Sequence, residues 1–514
     1  MDKEVETVAG RIFAAIDIGS FELELGIYEI SPGSGIRKVD HVRYALPLGS
    51  DTYRTGVISY QRVEEMCGVL ADFVRIAEGY RADERRAYAT SALREARNNR
   101  IVLDQIRVRT GLKVKIISNS EQRFLTYKAI AGKDAGFNRM IQKGTATVDV
   151  GFGGMQISLF DKDALVTTQN LPLGVMRLRG FLNRIQNESR ESRTELLSEM
   201  VDNELFTFRK MYLKDREIKN LIATGSAVIH LARHFSEDGP GEWISAADYR
   251  NFYKKLTAMS RGQKEDEYGV SPEYAALLTP SAAIYERVMA LTGAETMWVP
   301  GVCLLDGMAA EYGEETRLVK FKHDFSGDII ASARVMAKRY KSHIPHIQAL
   351  EEYALGIFDA MKKYHGMGKR ERLLLQIAVN LHSCGKFVSV RDASICSYNI
   401  IMSTEIIGLS HRERELVANV VRFNRQEFSY EESGEDSMLA AKLVAILRLA
   451  NSMDRSHKQK LAGAKIAVKE GILTVSTSYE GDITAEKIAF EQKQEFFEEI
   501  YGIRPVLKQK RRIK

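Results

Sequence analysis

The sequence predicts an α/β protein: two related lobes of strands joined by tight glycine turns, an all-helical region, and a small α+β end. Three observations predict it. Asp17-Ile18-Gly19 returns 132 residues later as Asp149-Val150-Gly151, each time as strand, Asp-x-Gly turn and strand, the mark of two related halves. From Ile329 to Asn451 helical pattern follows helical pattern, with few strand signals. Lys465-Ile466-Ala467-Val468 and Ile472-Leu473-Thr474-Val475 flank Lys469-Glu470-Gly471, a hairpin signal.

Phe13 to Ile18 is an apolar run broken at Asp17. Leu23, Leu25 and Ile27 then alternate with Glu22, Glu24 and Gly26, so a second strand returns after a turn at Gly19-Ser20. A helix is expected over Gln61 to Gly79, a short strand ending near Tyr88-Ala89-Thr90, and another at Val114 to Ile117. Ala146 to Val150 is a buried strand carrying Asp149, turned by Gly151-Phe152-Gly153-Gly154 before Met155 to Phe160 alternates again. Gly313 to Asp328 is polar and glycine-containing and reads as a linker. A last amphipathic helix is expected over Ala485 to Tyr501.

Composition narrows the function classes. The 514 residues include 74 Lys plus Arg and 68 Asp plus Glu, a formal charge of +6. Five of the positives lie in the last seven residues, so the rest of the chain is nearly balanced and lacks the charge excess of a duplex-binding surface. Specific DNA binding is not expected, and the terminal charge run reads as solvated. With 45% hydrophobic and 28% charged residues the protein is globular. No apolar run approaches the roughly 18 residues of a spanning helix, and Met1-Asp2-Lys3-Glu4-Val5-Glu6 lacks the layout of a secretory signal. Four scattered cysteines, Cys67, Cys303, Cys384 and Cys396, form no Cys-x-x-Cys pair, so a reduced, cytoplasmic protein is expected.

The paired turns carry the chemistry. Glycine lets backbone N–H groups approach a phosphate oxygen closely, and a carboxylate at the preceding strand end can hold Mg²⁺ beside it. Two matched copies, with Asp17 and Asp149 as metal carboxylates, suit a cleft that clamps a phosphate chain and its metal.

Ala14-Ala15-Ile16-Asp17-Ile18-Gly19-Ser20, Ala89-Thr90-Ser91-Ala92-Leu93-Arg94-Glu95-Ala96 and Leu171-Pro172-Leu173-Gly174-Val175-Met176-Arg177-Leu178 resemble the exopolyphosphatase / guanosine pentaphosphate phosphohydrolase family. So do Ala331-Ser332-Ala333-Arg334, Ala450-Asn451-Ser452-Met453-Asp454-Arg455-Ser456-His457 and Phe496-Phe497-Glu498-Glu499-Ile500-Tyr501-Gly502. The family belongs to the actin–hexokinase–heat-shock ATPase superfamily. The resemblance implies an actin-like (ribonuclease H-like) lobe over 1–130, a second over 131–315, a helical HD-like domain over 325–457 and a small α+β domain over 458–514. It also implies Mg²⁺-dependent hydrolysis of the terminal phosphoanhydride of polyphosphate or guanosine pentaphosphate, and a homodimer through the helical half. In that reaction water attacks the end phosphorus, a carboxylate orients it, and Arg plus backbone amides hold the developing charge. Carried onto this chain, the phosphate groups fall on Gly19, Ser20, Arg94, Gly151, Gly153, Gly154, Gly225 and Ser226. Thr90-Ser91 is expected to cap the helix before Arg94. Read from the residues alone, Arg94, Arg97, Arg100, Arg177 and Arg179 could extend a polyanion track, although scattered arginines of this kind are usually solvated.

The chain departs from the family at reacting positions. Phe21-Glu22 follows Gly19-Ser20 where the family has Asn-Ser. The block Ser118-Asn119-Ser120-Glu121-Gln122-Arg123-Phe124 keeps Glu121 but puts Gln122 where the water-activating base should stand; an amide orients water but takes no proton near neutral pH. Met155-Gln156 ends the second turn without its hydroxyls and carboxylate, and Ala223-Thr224-Gly225-Ser226-Ala227 is a thinner glycine turn. Glu121, Glu22 or Glu24 could replace the base, although a solvated edge is the expectation for Glu22 and Glu24. In the helical region His346, His382 and Asp454 fit three metal positions of an HD domain. Ser383 breaks the His-Asp pair, so His346 and His382 are expected to be packing residues and the domain structural or a dimer interface. Two hypotheses follow: a phosphohydrolase of reduced activity, or a degenerate binding or regulatory protein for polyphosphate or guanosine tetra- and pentaphosphate on the same fold.

Overall fold

The structure, a computed structural model, describes residues 10–133, 137–162, 164–213, 216–235, 241, 243–321 and 323–509. The N-terminal hexapeptide and most of the basic tail lie outside the described residues. The chain divides into two compact units, Met1–Phe325 and Ser326–Lys514.

The first unit contains two sheets of one design. β1 (Arg11–Ile18), β2 (Glu22–Ser31), β3 (Gly35–Ala45), β4 (Glu84–Ala89) and β5 (Val114–Ile116) lie in the order β3-β2-β1-β4-β5. β6 (Thr145–Val150), β7 (Met155–Asp161), β8 (Ala164–Leu171), β9 (Asn220–Thr224), β10 (Trp243–Ser245) and β11 (Thr296–Trp298) lie in the order β10-β11-β9-β6-β7-β8. In both, the first three strands form an antiparallel meander and the fourth runs parallel to the first. The echo seen in the sequence is therefore topological. Asp17 and Asp149 each stand one residue from the end of their sheet's first strand, opposite Glu24 and Gln156.

β1 is apolar throughout its middle because its two faces enter two cores. Ala14 and Ile16 pack with Leu25, Leu70 and Phe73, whereas Phe13 and Ala15 pack with Tyr28 and Tyr312. β3 escaped detection because it is an edge strand carrying Arg37, Lys38, Asp40, His41 and Arg43, charges that blunt an exposed edge. The expected linker is shorter than its composition suggested. The helix Leu304–Glu315 runs through Gly313, which packs against Val319 and Ile30, and the helix Phe325–Arg339 starts before Asp328.

The second unit carries the helices Ile344–Ala360, Lys369–Leu381, Ala393–Ser403, His411–Phe423 and Ser437–Ser452. A three-stranded sheet follows, with β12 (Lys465–Lys469), β13 (Ile472–Thr477) and β14 (Arg504–Gln509) in that order, and the helix Thr484–Tyr501 precedes β14. β14 was not expected from the sequence, and only its last two residues, Lys508 and Gln509, fall in the basic run at the chain's end. It is an edge strand, which tolerates Pro505. No helix among the described residues is long and apolar enough to cross a membrane.

Candidate active site

Both turns open into one cleft of the first unit, about 160 Å³ in volume, lined by Asp17, Gly19, Ser20, Arg94, Gln122, Asp149, Gly151, Gly153, Gly154, Gly225 and Ser226. Each turn is closed by its own backbone, Gly19 N donating to Glu22 O (3.0 Å) and Gly151 N to Gly154 O (3.0 Å). The helix Val175–Arg184 braces the second turn: Val175 N donates to Gly151 O, Met176 N to Phe152 O, and Arg177 Nε to Gly153 O (2.8 Å). Gly174 makes this approach feasible, because a Cβ there would lie 2.2 Å from the Gly153 carbonyl carbon. Gly225 has φ +120°, and a Cβ on it would stand 2.4 Å from Val150 O.

The turns meet at a triangle of hydroxyls. Ser20 Oγ lies 2.8 Å from Tyr53 Oη and 2.9 Å from Ser91 Oγ, and Tyr53 Oη donates to Ser91 Oγ at 3.0 Å. A Cβ on Gly153 would sit 1.9 Å from that tyrosine oxygen, so the second turn closes directly on the first lobe's hydroxyls. Thr90 and Ser91 make no side-chain cap on the helix Ser91–Glu95; Ser91 faces the triangle instead. Arg177 stacks over the Tyr53 ring at 4.3 Å and pairs with Glu95 at 2.7 Å. Arg94 donates to Ile117 O (2.7 Å) and to Asn119 Oδ1. Of the other arginines in the expected track, only Arg177 lines the cleft; Arg97 donates to Thr55 O, beside Gly56.

The carboxylates differ sharply. Asp17 Oδ1 is buried without a hydrogen-bond partner, and burial, then Glu24, Glu22 and Asp149, push its carboxyl well above the usual range. Asp149 accepts from Thr224 Oγ1 at 3.1 Å, and burial raises it too, opposed by Thr224 and Arg123. Glu22 and Glu24 are not on a solvated edge: they are 6% and 4% exposed and line the cleft. Strand alternation put them on one face, and the inward turn aims that face at the cleft. Glu24 is held low, despite its burial, by His41 (2.7 Å) and Arg43 (3.6 Å). Glu22 Oε1 has no partner, and burial and Glu24 push its carboxyl up to about 8.

That displacement has a sign that thermal unfolding can read. A carboxyl raised on folding stabilises the fold most below its ordinary value of 4.5, and the contribution is lost as pH rises through about 8. In metal-free protein, Glu22→Gln should therefore gain Tm relative to wild type between pH 5 and pH 9, by an amount equivalent to at most a few kcal/mol. A constant difference across that range would contradict the burial argument.

Glu121 does not line the cleft. Its carboxylate accepts from Ser118 N (2.9 Å) and pairs with Lys115 (2.6 Å), at the first turn of the helix Asn119–Lys133. Gln122, one residue on, faces the cleft. Gln156 also lines it and accepts from the buried Arg123 at 3.2 Å. Several residues here carried no signal in the sequence. Tyr53 arrives on the helix Leu48–Thr55, and Cys303 arrives at the start of Leu304–Glu315, its thiol pushed well up by burial and Asp306.

In the second unit His346 Nδ1 lies 2.8 Å from Asp454 Oδ2, and the His346 and His382 rings are 5.2 Å apart. Among the described residues no group of three or more His, Cys, Asp or Glu is placed to hold a metal ion.

Comparison with known proteins accords with this geometry. The chain matches the Ppx/GppA phosphatase family over residues 27–313 and Ppx/GppA phosphatase, domain III, over 330–490. It is similar to Exopolyphosphatase 1 of Mycobacterium leprae, 24% identical over 57% of this chain and 87% of that protein. It is also similar to guanosine-5'-triphosphate,3'-diphosphate pyrophosphatase of Aeromonas hydrophila, 20% identical over 85% of this chain and 86% of that one. The fold is shared with the crystal structure of an exopolyphosphatase from Cytophaga hutchinsonii (TM-score 0.53, 18% identity, 60% of this chain, 99% of that chain). It is likewise shared with that of the Aquifex aeolicus Ppx/GppA family member (TM-score 0.51, 18% identity, 61% of this chain, 100% of that chain). With matched lobes, paired aspartates in one cleft and family matches over both units, the chain belongs to the Ppx/GppA phosphatase family.

Proposed function

We propose that this protein hydrolyses the terminal phosphoanhydride of inorganic polyphosphate or guanosine pentaphosphate in a Mg²⁺-dependent reaction, at a reduced rate. One observation carries the reading: the two strand-end aspartates, the two glycine turns and Arg94 line a single cleft. The donor set suits Mg²⁺. That ion takes one or two carboxylates and completes its shell with water and substrate phosphate, and Asp17 offers an oxygen with no partner in the protein. Asp17 and Asp149 would hold the ion; when bound it would offset phosphate charge. Backbone N–H groups of the turns and the Arg94 guanidinium would hold the phosphoryl oxygens. Gln122 would orient the water. Glu22 is the carboxylate within the cleft able to take its proton, most effectively at mildly alkaline pH.

Phosphate release from long-chain polyphosphate and from guanosine pentaphosphate, with Mg²⁺, tests this. Slow release is expected, and Arg94→Ala should lower it by ~10²–10³, the usual cost of losing a group that stabilises developing charge. Release that Arg94→Ala leaves unchanged would place the activity outside this cleft. Gln122 and the closed hydroxyl triangle favour a second reading, a binding or regulatory protein. It requires either polyanion to bind, measured by calorimetry, with no phosphate released. The homodimer belongs to the same proposal and is read by sedimentation of the full chain.

A further inference from the structure

One cross-strand row of the second sheet enters the cleft. Asp149 on β6 stands opposite Gln156 on β7, and Gln156 stands opposite Asn170 on β8. All three line the cleft. Strand alternation carries the same face on to Ser158 and Thr168, whose hydroxyls lie 2.8 Å apart. Polar side chains on a buried sheet face need partners. Arg123 supplies them from the helix Asn119–Lys133: its Nε donates to Gln156 Oε1 at 3.2 Å, and its Nη1 donates to Thr168 Oγ1. Arg123 and Gln156 are each 5% exposed, so the contact is shielded from water.

The chemistry of this pair fixes which end of the amide serves the cleft. A guanidinium only donates, so it must meet the carbonyl oxygen of Gln156. The NH₂ end is then turned away from Arg123, and among the described residues Nε2 makes no hydrogen bond. Two N–H groups are therefore what Gln156 offers a ligand. The carboxylate that the resemblance leads one to expect at this position would offer the reverse, acceptor oxygens for a cation or a water. A fixed positive charge stands behind the amide, and it acts on Asp149 as well, where it opposes the effect of burial. Donors in front of a buried guanidinium suit an oxyanion and repel a metal ion. Asn170, the next side chain in the row, adds a second amide.

We propose that Gln156 donates to a non-bridging oxygen of the bound phosphate chain, and that Arg123 is the positioning residue that keeps its amide turned that way. Position 156 thus binds substrate rather than metal. The inference rests on the reading that polyphosphate or guanosine pentaphosphate occupies this cleft, and it holds whether or not the bound chain is cleaved.

Gln156→Glu separates the two roles of the position, because a carboxylate keeps an acceptor for Arg123 but has no N–H to give. KM for polyphosphate should rise about tenfold or more, the worth of one hydrogen bond to a charged group, while kcat stays within about threefold of wild type. Arg123→Met frees the amide to turn and should raise KM by a similar factor. Arg123→Met/Gln156→Met should be no worse than either single change, since both remove the same donor. A purely structural loss would instead lower Tm and kcat together and add up in the double variant. Calorimetry with tripolyphosphate on the full chain makes the same comparison without turnover. Binding that Gln156→Glu weakens about tenfold, with no phosphate released by wild type, would keep this inference and remove the hydrolytic reading. No binding to wild type would remove both. Turnover with KM and affinity unchanged in Gln156→Glu would overturn the inference alone. So would a higher kcat at a lower Mg²⁺ requirement in Gln156→Glu, since position 156 would then face the metal.

Discussion

Gln122→Glu should raise phosphate release from polyphosphate by about 10²-fold or more, toward the ~10²–10⁴ that a positioned general base contributes. Gln122 follows Glu121 in the first turn of the helix Asn119–Lys133, and the two neighbours have separate tasks. Glu121 turns back to accept from Ser118 N and to pair with Lys115, so it cannot reach the reacting water. Position 122 faces the cleft with Asp17, Arg94 and Asp149. A carboxylate there would sit at a helix N-terminus, which favours its ionised form, and beside Arg94. It would thus be an available base at neutral pH, where Glu22, pushed up to about 8, is largely protonated. The gain should be largest near neutral pH and shrink as Glu22 ionises. An unchanged rate would mean that the water's proton leaves by another route; Glu22→Gln in the wild-type chain should then remove the residual activity.

What could be read in the sequence was what is local. Asp17 and Asp149 were legible because each sits in a short strand-turn-strand unit and the unit occurs twice. Gln122 was legible because its block lies in one stretch of chain. The burial of Glu22 and Glu24 was not, since alternation assigns them to one face without saying what that face meets. Tyr53 was invisible for a related reason: it reaches Ser20 and Ser91 across separations of 33 and 38 residues, and its helix advertises only an ordinary amphipathic pattern. The charged edge strand β3 and the proline-bearing β14 were missed because both lack the apolar alternation that marks a strand half-buried in a sheet.

Phe21→Ala should cost about 3–5 kcal/mol of stability in the first unit, the range for emptying a buried aromatic site. Phe21 belongs to the first lobe's turn, yet it is 1% exposed and packs in the second lobe's core with Val150, Met155 and Tyr274. Its ring lies 5.0 Å from Phe152, in the second lobe's turn, and 5.7 Å from Tyr274 in an edge-on contact. Each aromatic contact adds about 0.5–1.5 kcal/mol beyond the area it buries. The resemblance leads one to expect a polar residue at this position. Here the ring pins the two turns to each other instead, and Gly153 against Tyr53 and Ser91 completes the closure. Loss of the ring should therefore act twice, lowering the urea midpoint and loosening the turns, so that KM for polyphosphate changes together with kcat. Phe21→Leu keeps most of the volume without the ring and should recover more than half of the stability. A loss below about 1 kcal/mol for Phe21→Ala, or a cleft that binds and turns over substrate as before, would show that the ring fills space without holding the lobes.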